Sequence, residues 1–266
     1  MNTHALARRL LDLNTWLESL EGRDLERHEF NRAPLGRAGV TLDPTSTAPA
    51  ASMNRNRISL CGAEGGLTRD GLAELAAMFT ARGIPRFFVW LSPGPGDAEV
   101  REWLRAMSFA RVKWTRYPTL LLAEPPLPPR RHPFEIRRIG IEDFAVARDA
   151  LGNAAMEGYA CTLGNPGVFH YVAFDEGRPV AVAALAQYEE LGYLTYAGTV
   201  ESQRRRGAQS ALIAHRIAVA QAMGCKLIVS QTLTMLEDSF ANLGRCGFRE
   251  IYEQEVYESP MPAGTQ

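Results

Sequence analysis

The residues from Tyr193 to Phe248 constrain this chain more than any others, and at their centre stands Gln203-Arg204-Arg205-Arg206-Gly207-Ala208-Gln209-Ser210. An alternating, β-branched segment, Tyr193 to Val200, runs into this turn, and an apolar-periodic segment reaching Met223 leaves it. The order is strand, turn, helix. The first N–H groups of a helix have no partner within it, and the aligned peptide dipoles add partial positive charge there. Such an end accepts phosphate. Gly207 has no side chain to hinder approach to the backbone, and the arginines supply fixed charge and forked donors. The stretch therefore predicts a ligand that carries a phosphate or pyrophosphate.

Two phosphate-binding loops are excluded by inspection: there is no Gly-x-x-x-x-Gly-Lys-Ser/Thr, and no Gly-x-Gly-x-x-Gly after a strand. Downstream, Gly224 is a good helix-stopping residue and Lys226 to Ser230 reads as a buried strand. A polar helix with Ser239, Asn242 and Arg245 follows, then Gly247-Phe248 and a strand from Glu250 to Tyr257. The turn resembles the Arg/Gln-x-x-Gly-x-Gly/Ala motif of the GNAT N-acetyltransferase superfamily, with Gln209 standing where Gly or Ala is usual. The downstream segment resembles the same family's Ser-x-x-Asn-x-x-Arg-x-Gly-Phe variant.

Length and composition agree with this reading. With 266 residues, 46% hydrophobic and 22% charged, the chain suits one or two globular domains. Net charge is −1, which gives no global electrostatic case for nucleic acid or membranes as partners. Cys61, Cys161, Cys225 and Cys246 are widely spaced and read as reduced, mostly buried thiols of a cytoplasmic protein. No signal peptide and no membrane-spanning apolar run is recognised, and the five scattered histidines suggest no metal site.

In the first half, Leu6, Leu10, Leu11, Leu13, Trp16, Leu17 and Leu20 form a helical stripe, and residues 24–57 read as irregular. From Arg57 to Leu122 the order strand, helix, strand, helix, strand returns. Gly66 falls opposite Gly207, Gly83 opposite Gly224, and Ser108-Phe109 opposite Gly247-Phe248, which reads as an internal repeat. Ala63-Glu64-Gly65-Gly66 places an acid where the second half has arginines, so the first copy is expected to repel a pyrophosphate. The proline-rich segment 124–133 reads as a semi-rigid linker. The expected organisation is an N-terminal helix with a degenerate lobe over 1–123, that linker, and a GNAT domain over 134–266. The fold class is α+β: a mixed, mainly antiparallel sheet with flanking helices in two tandem lobes.

The resemblance then implies the chemistry. Acetyl-CoA is the implied cosubstrate, its pantetheine arm on Ala197, Gly198 and Thr199 and its pyrophosphate on the turn Arg204, Arg205, Arg206, Gly207, Ala208, Gln209 and Ser210. Ser239 and Asn242 would contact the CoA arm, and the segment 154–162, with Met156, Glu157 and Tyr159, would roof the acceptor site. The implied acceptor is an amine of a small molecule or peptide; the oligomeric state is left open, a homodimer included. Amine acetylation needs a base and oxyanion stabilisation. Glu189, Glu190 and Glu201 are the carboxylates nearest the expected site, and a strand amide near Thr199 would serve the oxyanion. Many members carry a tyrosine where this chain has Leu243, so the acid is Tyr188, Tyr193, Tyr196 or Tyr252, or none is needed. Two other readings stay open: a catalytically silent acyl-CoA-binding or sensing module, and a binder of another phosphorylated ligand or RNA.

Overall fold

The computed structural model describes residues 2–20, 25–46, 53–123, 132–154 and 156–260, so most of the expected linker lies outside the described residues. The first half contains α1 (Thr3–Leu20), β1 (Glu26–Arg32), β2 (Gly36–Leu42), β3 (Arg57–Cys61), α2 (Arg69–Ala81), β4 (Phe88–Ser92), α3 (Asp97–Ala106), β5 (Ala110–Arg111) and β6 (Tyr117–Leu122). The second contains β7 (Glu135–Ile139), α4 (Ile141–Leu151), α5 (Glu157–Cys161), β8 (Val168–Asp175), β9 (Arg178–Tyr188), β10 (Leu191–Thr199), α6 (Ala208–Ala222), β11 (Leu227–Gln231), α7 (Glu237–Arg245) and β12 (Phe248–Glu258).

The chain forms two compact units. The first takes residues up to Trp16, the stretch ending at Tyr117, and the strand residues from Tyr252 onward; Pro118–Ile251 make most of the second. These limits differ from the expected 1–123 and 134–266, and the reason is strand pairing. Thr119, Leu120 and Leu121 of β6 pair antiparallel with Gln231, Ser230 and Val229 of β11. Glu255 to Glu258 of β12 pair antiparallel with Leu91 to Phe88 of β4. Each unit thus closes its sheet with a strand from the other half of the sequence.

The strand directions repeat. In the second unit β7, β8, β9 and β10 are antiparallel neighbours, β10 and β11 are parallel, and β6 closes the run. In the first, β1, β2 and β3 are antiparallel, β3 and β4 are parallel, and β12 closes it. The architecture is α+β, largely antiparallel with flanking helices.

Residues 26–42, read as irregular, are a hairpin of β1 and β2. β1 is an outer strand of mostly exposed polar residues and so lacks the apolar alternation that marks a half-buried strand. β2 does alternate, burying Ala38, Val40 and Leu42. Of the cysteines, Cys61 and Cys225 are buried, Cys246 is half-buried and Cys161 is exposed.

α6 positions the site, so its seating matters. Leu212, Ile213 and Ile217 point into the second unit's core together with Ala208, Ala211 and Ala220. Each of the three large side chains contributes about 2 kcal/mol when buried. The alanines let the helix lie close to the sheet. Gly192 of β10 completes this approach, because a Cβ there would stand 2.9 Å from the Ala220 Cβ.

Candidate functional site

β10 runs beside β11 only from Leu191↔Leu227 to Leu194↔Ser230. Beyond that pair β10 continues against β9 as far as Thr199↔Ala181, while β11, flanked by β6 on its other edge, keeps only that neighbour at Gln231. Two neighbouring parallel strands therefore stop pairing partway along, at a bulge in which Tyr196 and Ala197 stand against Ala183 alone and Tyr196 has φ 47°. The gap opens toward the turn that carries the arginines.

That turn is built to present amides. Arg205 (φ 63°) and Gly207 (φ 93°) are both in the left-handed region, a conformation that favours glycine and that turns backbone N–H groups into an anion-binding concavity. Gly207 is the N-cap of α6, no side chain caps this end, and the first turn carries no acid. A Cβ on Gly207 would meet nothing within 4 Å, so no other part of the chain crowds that side of the turn. Ala211 is the first residue to bond back into the helix, to the Gly207 carbonyl.

The three arginines divide. Arg206 Nη1 lies 2.7 Å from Asp175 Oδ2 in the β8–β9 hairpin and also bonds Gln203. Arg204 and Arg205 are exposed beside the turn. Gln209, the departure from the family motif, keeps its side chain out of the turn: its Nε2 donates to Gly198 O at 2.7 Å and Val182 O at 3.2 Å, and lies 3.1 Å from Thr199 Oγ1. The local geometry survives the substitution because the amide goes down onto the sheet.

α7 joins the other expected contacts to this turn. Ser210 Oγ lies 3.5 Å from Asn242 Oδ1, which also accepts from Arg245 at 2.5 Å, and Thr232 Oγ1 donates to Ser239 Oγ at 3.3 Å. Ala197 is exposed on the bulged strand, with Gly198 and Thr199 half-buried. Gly198 must be glycine, since a Cβ would run into the carbonyl of Ala154. Residues 152–154 thus rest directly on the strand that would hold the pantetheine arm.

The expected catalytic carboxylates are not gathered. Glu189 and Glu190 form the β9–β10 turn, where β10 is still paired with β11, and Glu190 lies 2.5 Å from Lys226 Nζ. At about 3.3 Å per residue, the four positions from Glu190 to Leu194, the last β10 residue paired with β11, span about 13 Å. Glu189 and Glu190 therefore lie on the paired side of the fork's apex, outside the gap itself. Glu201 is exposed in the short helical turn just after β10. Leu243, at the family's tyrosine position, is buried in the core.

Among the tyrosines, Tyr193 stands at the apex of the fork, its hydroxyl 3.2 Å from Gln231 Oε1, and Gln231 Nε2 donates to Thr119 Oγ1 at 2.9 Å. Tyr252 belongs to the first unit. Tyr159 of the roof segment is buried, its hydroxyl bonded to Tyr171 O, and burial pushes its pKa up; it holds the roof rather than facing a substrate. Beneath it His170 is buried against Thr162 Oγ1 at 3.0 Å, and burial holds the ring down to about 4.

Sequence reasoning missed Arg216. It is 2% exposed, and its guanidinium bonds Leu212 O, Ala184 O and Thr195 O. A signal was present: Arg216 interrupts the apolar spacing of Leu212, Ile213, Ile217 and Ala220.

The corresponding turn of the first unit is closed. Thr68 caps α2 by accepting from Gly71 N at 3.1 Å, and Asp70 adds an acid in the first turn. Residues 33–35 press on that helix end, leaving no room for a Cβ on Gly71, and Thr68 N donates to Pro34 O. Glu64 of the turn pairs with Arg8 at 3.2 Å and with His4 at 3.5 Å. His4, Cys61 and Glu64 bring potential ligand atoms within 4.8 Å of one another. Arg8 already offsets the carboxylate there, and burial, with Glu64 adding to it, pushes the Cys61 thiol up to about 12.

Comparisons with known proteins agree with this architecture. Residues 134–248 match the family described as the acetyltransferase (GNAT) family. The chain is similar to the GCN5-related N-acetyltransferase from Kribbella flavida (17% identity, 98% of this chain and 96% of that one, TM-score 0.68). It is also similar to a tandem GNAT protein from the clavulanic acid biosynthesis pathway (11% identity, 84% and 78% covered, TM-score 0.61). A third likeness is to a GCN5-related N-acetyltransferase from Sphaerobacter thermophilus (13%, 94% and 86%, TM-score 0.59). No curated protein matches the chain in sequence. Residues 134–248 thus carry the match to the acetyltransferase (GNAT) family, and the chain as a whole shares the fold of solved GNAT proteins, one of them a tandem GNAT protein.

Proposed function

We propose that the second unit transfers an acetyl group from acetyl-CoA to the amine of a small molecule or peptide. One observation carries this: an uncapped helix end with open space before Gly207 stands where β10 has parted from β11. The amides of that end and the exposed Arg204 and Arg205 suit a pyrophosphate. Ala197, Gly198 and Thr199 offer the backbone edge for the pantetheine arm, and Ser210, Ser239 and Asn242 line the side toward α7.

In the transfer, the amine nitrogen forms a bond to the thioester carbonyl carbon, the C–S bond breaks, and the amine proton passes by way of a base to solvent or to the departing thiolate. A backbone N–H of the bulged strand would stabilise the oxyanion, since such donors cost no reorganisation as charge develops. Tyr193 is the phenol nearest the fork's apex, and a thiol leaves with a pKa near about 8.5, so weak acid assistance suffices. Glu201 is the carboxylate left as a candidate base near the turn. The first unit is read as the degenerate lobe, its helix end occupied by the chain's own groups. No helix among the described residues is long and apolar enough to cross a membrane; cytoplasmic residence is the reading we adopt.

Calorimetric titration with acetyl-CoA tests the proposal: one site per chain is expected, and two would restore the first lobe as a binding site. No binding would overturn the reading. A panel of amines assayed for CoA thiol release then separates an enzyme from a silent acyl-CoA-binding module. Leu243 in the core and Glu189 and Glu190 at the far end of β10 are the observations that favour the silent alternative.

A further inference from the structure

Two side chains of α6 donate to backbone carbonyls of β9 and β10, Gln209 and Arg216, seven residues apart and so about two helical turns. They grip the sheet in the same way at two places. Gln209 Nε2 donates to Gly198 O and Val182 O, whose residues are cross-strand partners. Arg216 Nη1 donates to Thr195 O at 3.2 Å and Ala184 O at 2.8 Å, whose residues are likewise partners. Between these two pairs lies the bulge, with Tyr196 and Ala197 against Ala183 and a left-handed Tyr196. Each side chain therefore ties β9 to β10 at one shoulder of the bulge.

A bulge needs such ties. A left-handed non-glycine residue is strained, and a slip of one residue would erase the bulge and turn every following side chain to the other face. Packing alone gives no reason for Arg216, because burying a guanidinium is costly and leucine or isoleucine fills the neighbouring positions of the same face. The partners found for it are backbone carbonyls, which fix geometry. Gln209 fits the same account, because the small residue usual at its position could not reach the strand.

We propose that Gln209 and Arg216 are positioning residues that hold the β10 bulge, and with it the fork between β10 and β11, in the shape that receives the thioester end of acetyl-CoA. This rests on the acetyl-CoA reading of the site. The two braces divide the work along the strand: Gln209 sits at Gly198, on the side of the phosphate turn, and Arg216 at Thr195, beside the apex of the fork.

The test uses the full chain with Gln209→Ala, Arg216→Met and Arg216→Lys, the last keeping charge should the methionine variant fold poorly. Hydrogen exchange over residues 191–203 reads the brace without any ligand: faster exchange than in wild type is expected in all three variants, with β7 and β8 unchanged. Against acetyl-CoA, Gln209→Ala should weaken affinity about tenfold, the loss of a hydrogen-bonded anchor. Arg216→Met should keep affinity within about threefold while slowing thiol release from acetyl-CoA about tenfold or more. Unchanged exchange at 191–203 would overturn the proposal, as would variants that merely lower the melting temperature and keep wild-type affinity and rate. If wild type fails to bind acetyl-CoA while the variants still loosen 191–203, the acetyl-CoA reading fails and the brace stands.

Discussion

The two strand–turn–helix segments, β3 to α2 and β10 to α6, share a strand order, and they differ in who occupies the helix end. In the first, Thr68, Asp70, Pro34 and the Glu64 ion pairs satisfy the turn from within the chain. In the second, Gly207 faces open space and arginines stand on the approach. The comparison teaches that a parallel pair feeding a helix is a scaffold, and that a binding end is made by withholding the cap. A capped end has its orphan N–H groups answered already. An uncapped one keeps them for a ligand.

The largest effect should come from closing the open end. Gly207→Glu places a carboxylate before the amides and a side chain on a φ of 93°, so acetyl-CoA affinity should fall more than about 100-fold. Calorimetry reads this, and a variant that binds as tightly as wild type would break the contrast between the turns.

Acid should separate the units next. His170 is held down to about 4 by burial, below the usual 6.5, with nearby Arg138 lowering it further and backbone bonds at Tyr159 and Val168 opposing the shift. Unfolded chain then binds a proton that native chain does not, so stability rises with pH across this window and is lost as pH falls from about 6.5 toward 4, by about 2 to 3 kcal/mol. Trp16, Trp90, Trp103 and Trp114 all belong to the first unit. Far-UV circular dichroism should therefore show an acid transition ahead of tryptophan fluorescence, and His170→Gln should remove it. Coincident transitions that His170→Gln leaves unmoved would refute the assignment.

What the sequence showed, and what it hid, follows from how local each signal is. Gly207, the arginines and the apolar face of α6 sit within one short stretch, so the turn could be read directly. Ser210 and Asn242 could be paired only through the resemblance, yet the fold brings them together. The exchange of β6 and the end of β12 between units leaves no local mark, since pairing partners more than a hundred residues apart are not encoded in composition or period. Glu189 and Glu190 are near the site in sequence, yet four residues of extended strand, about 13 Å, lie between Glu190 and the end of the β10–β11 pairing. The sequence marks Gln209 only as a departure from the motif, since nothing in its neighbours says which way a side chain will point.

Smaller effects sharpen the comparison from the closed side. Thr68→Ala removes the cap of α2 and should cost about 1 kcal/mol in urea unfolding followed by tryptophan fluorescence, with acetyl-CoA affinity unchanged. Glu64→Gln should do least. The carboxamide keeps the shape of the turn, loses the attraction of Arg8 and His4 for a partly exposed carboxylate, and so should alter stability by under about 1 kcal/mol. Removing the acid also removes the charge expected to repel a pyrophosphate, which makes the variant a discriminating one. If repulsion alone silences the first turn, Glu64→Gln should create a second acetyl-CoA site in calorimetry. If occupation of the helix end silences it, stoichiometry stays at one, because Thr68, Pro34 and the buried approach at Gly71 remain in place. The structure favours the second outcome, and a stoichiometry of two would show that charge, rather than the cap, separates the two turns.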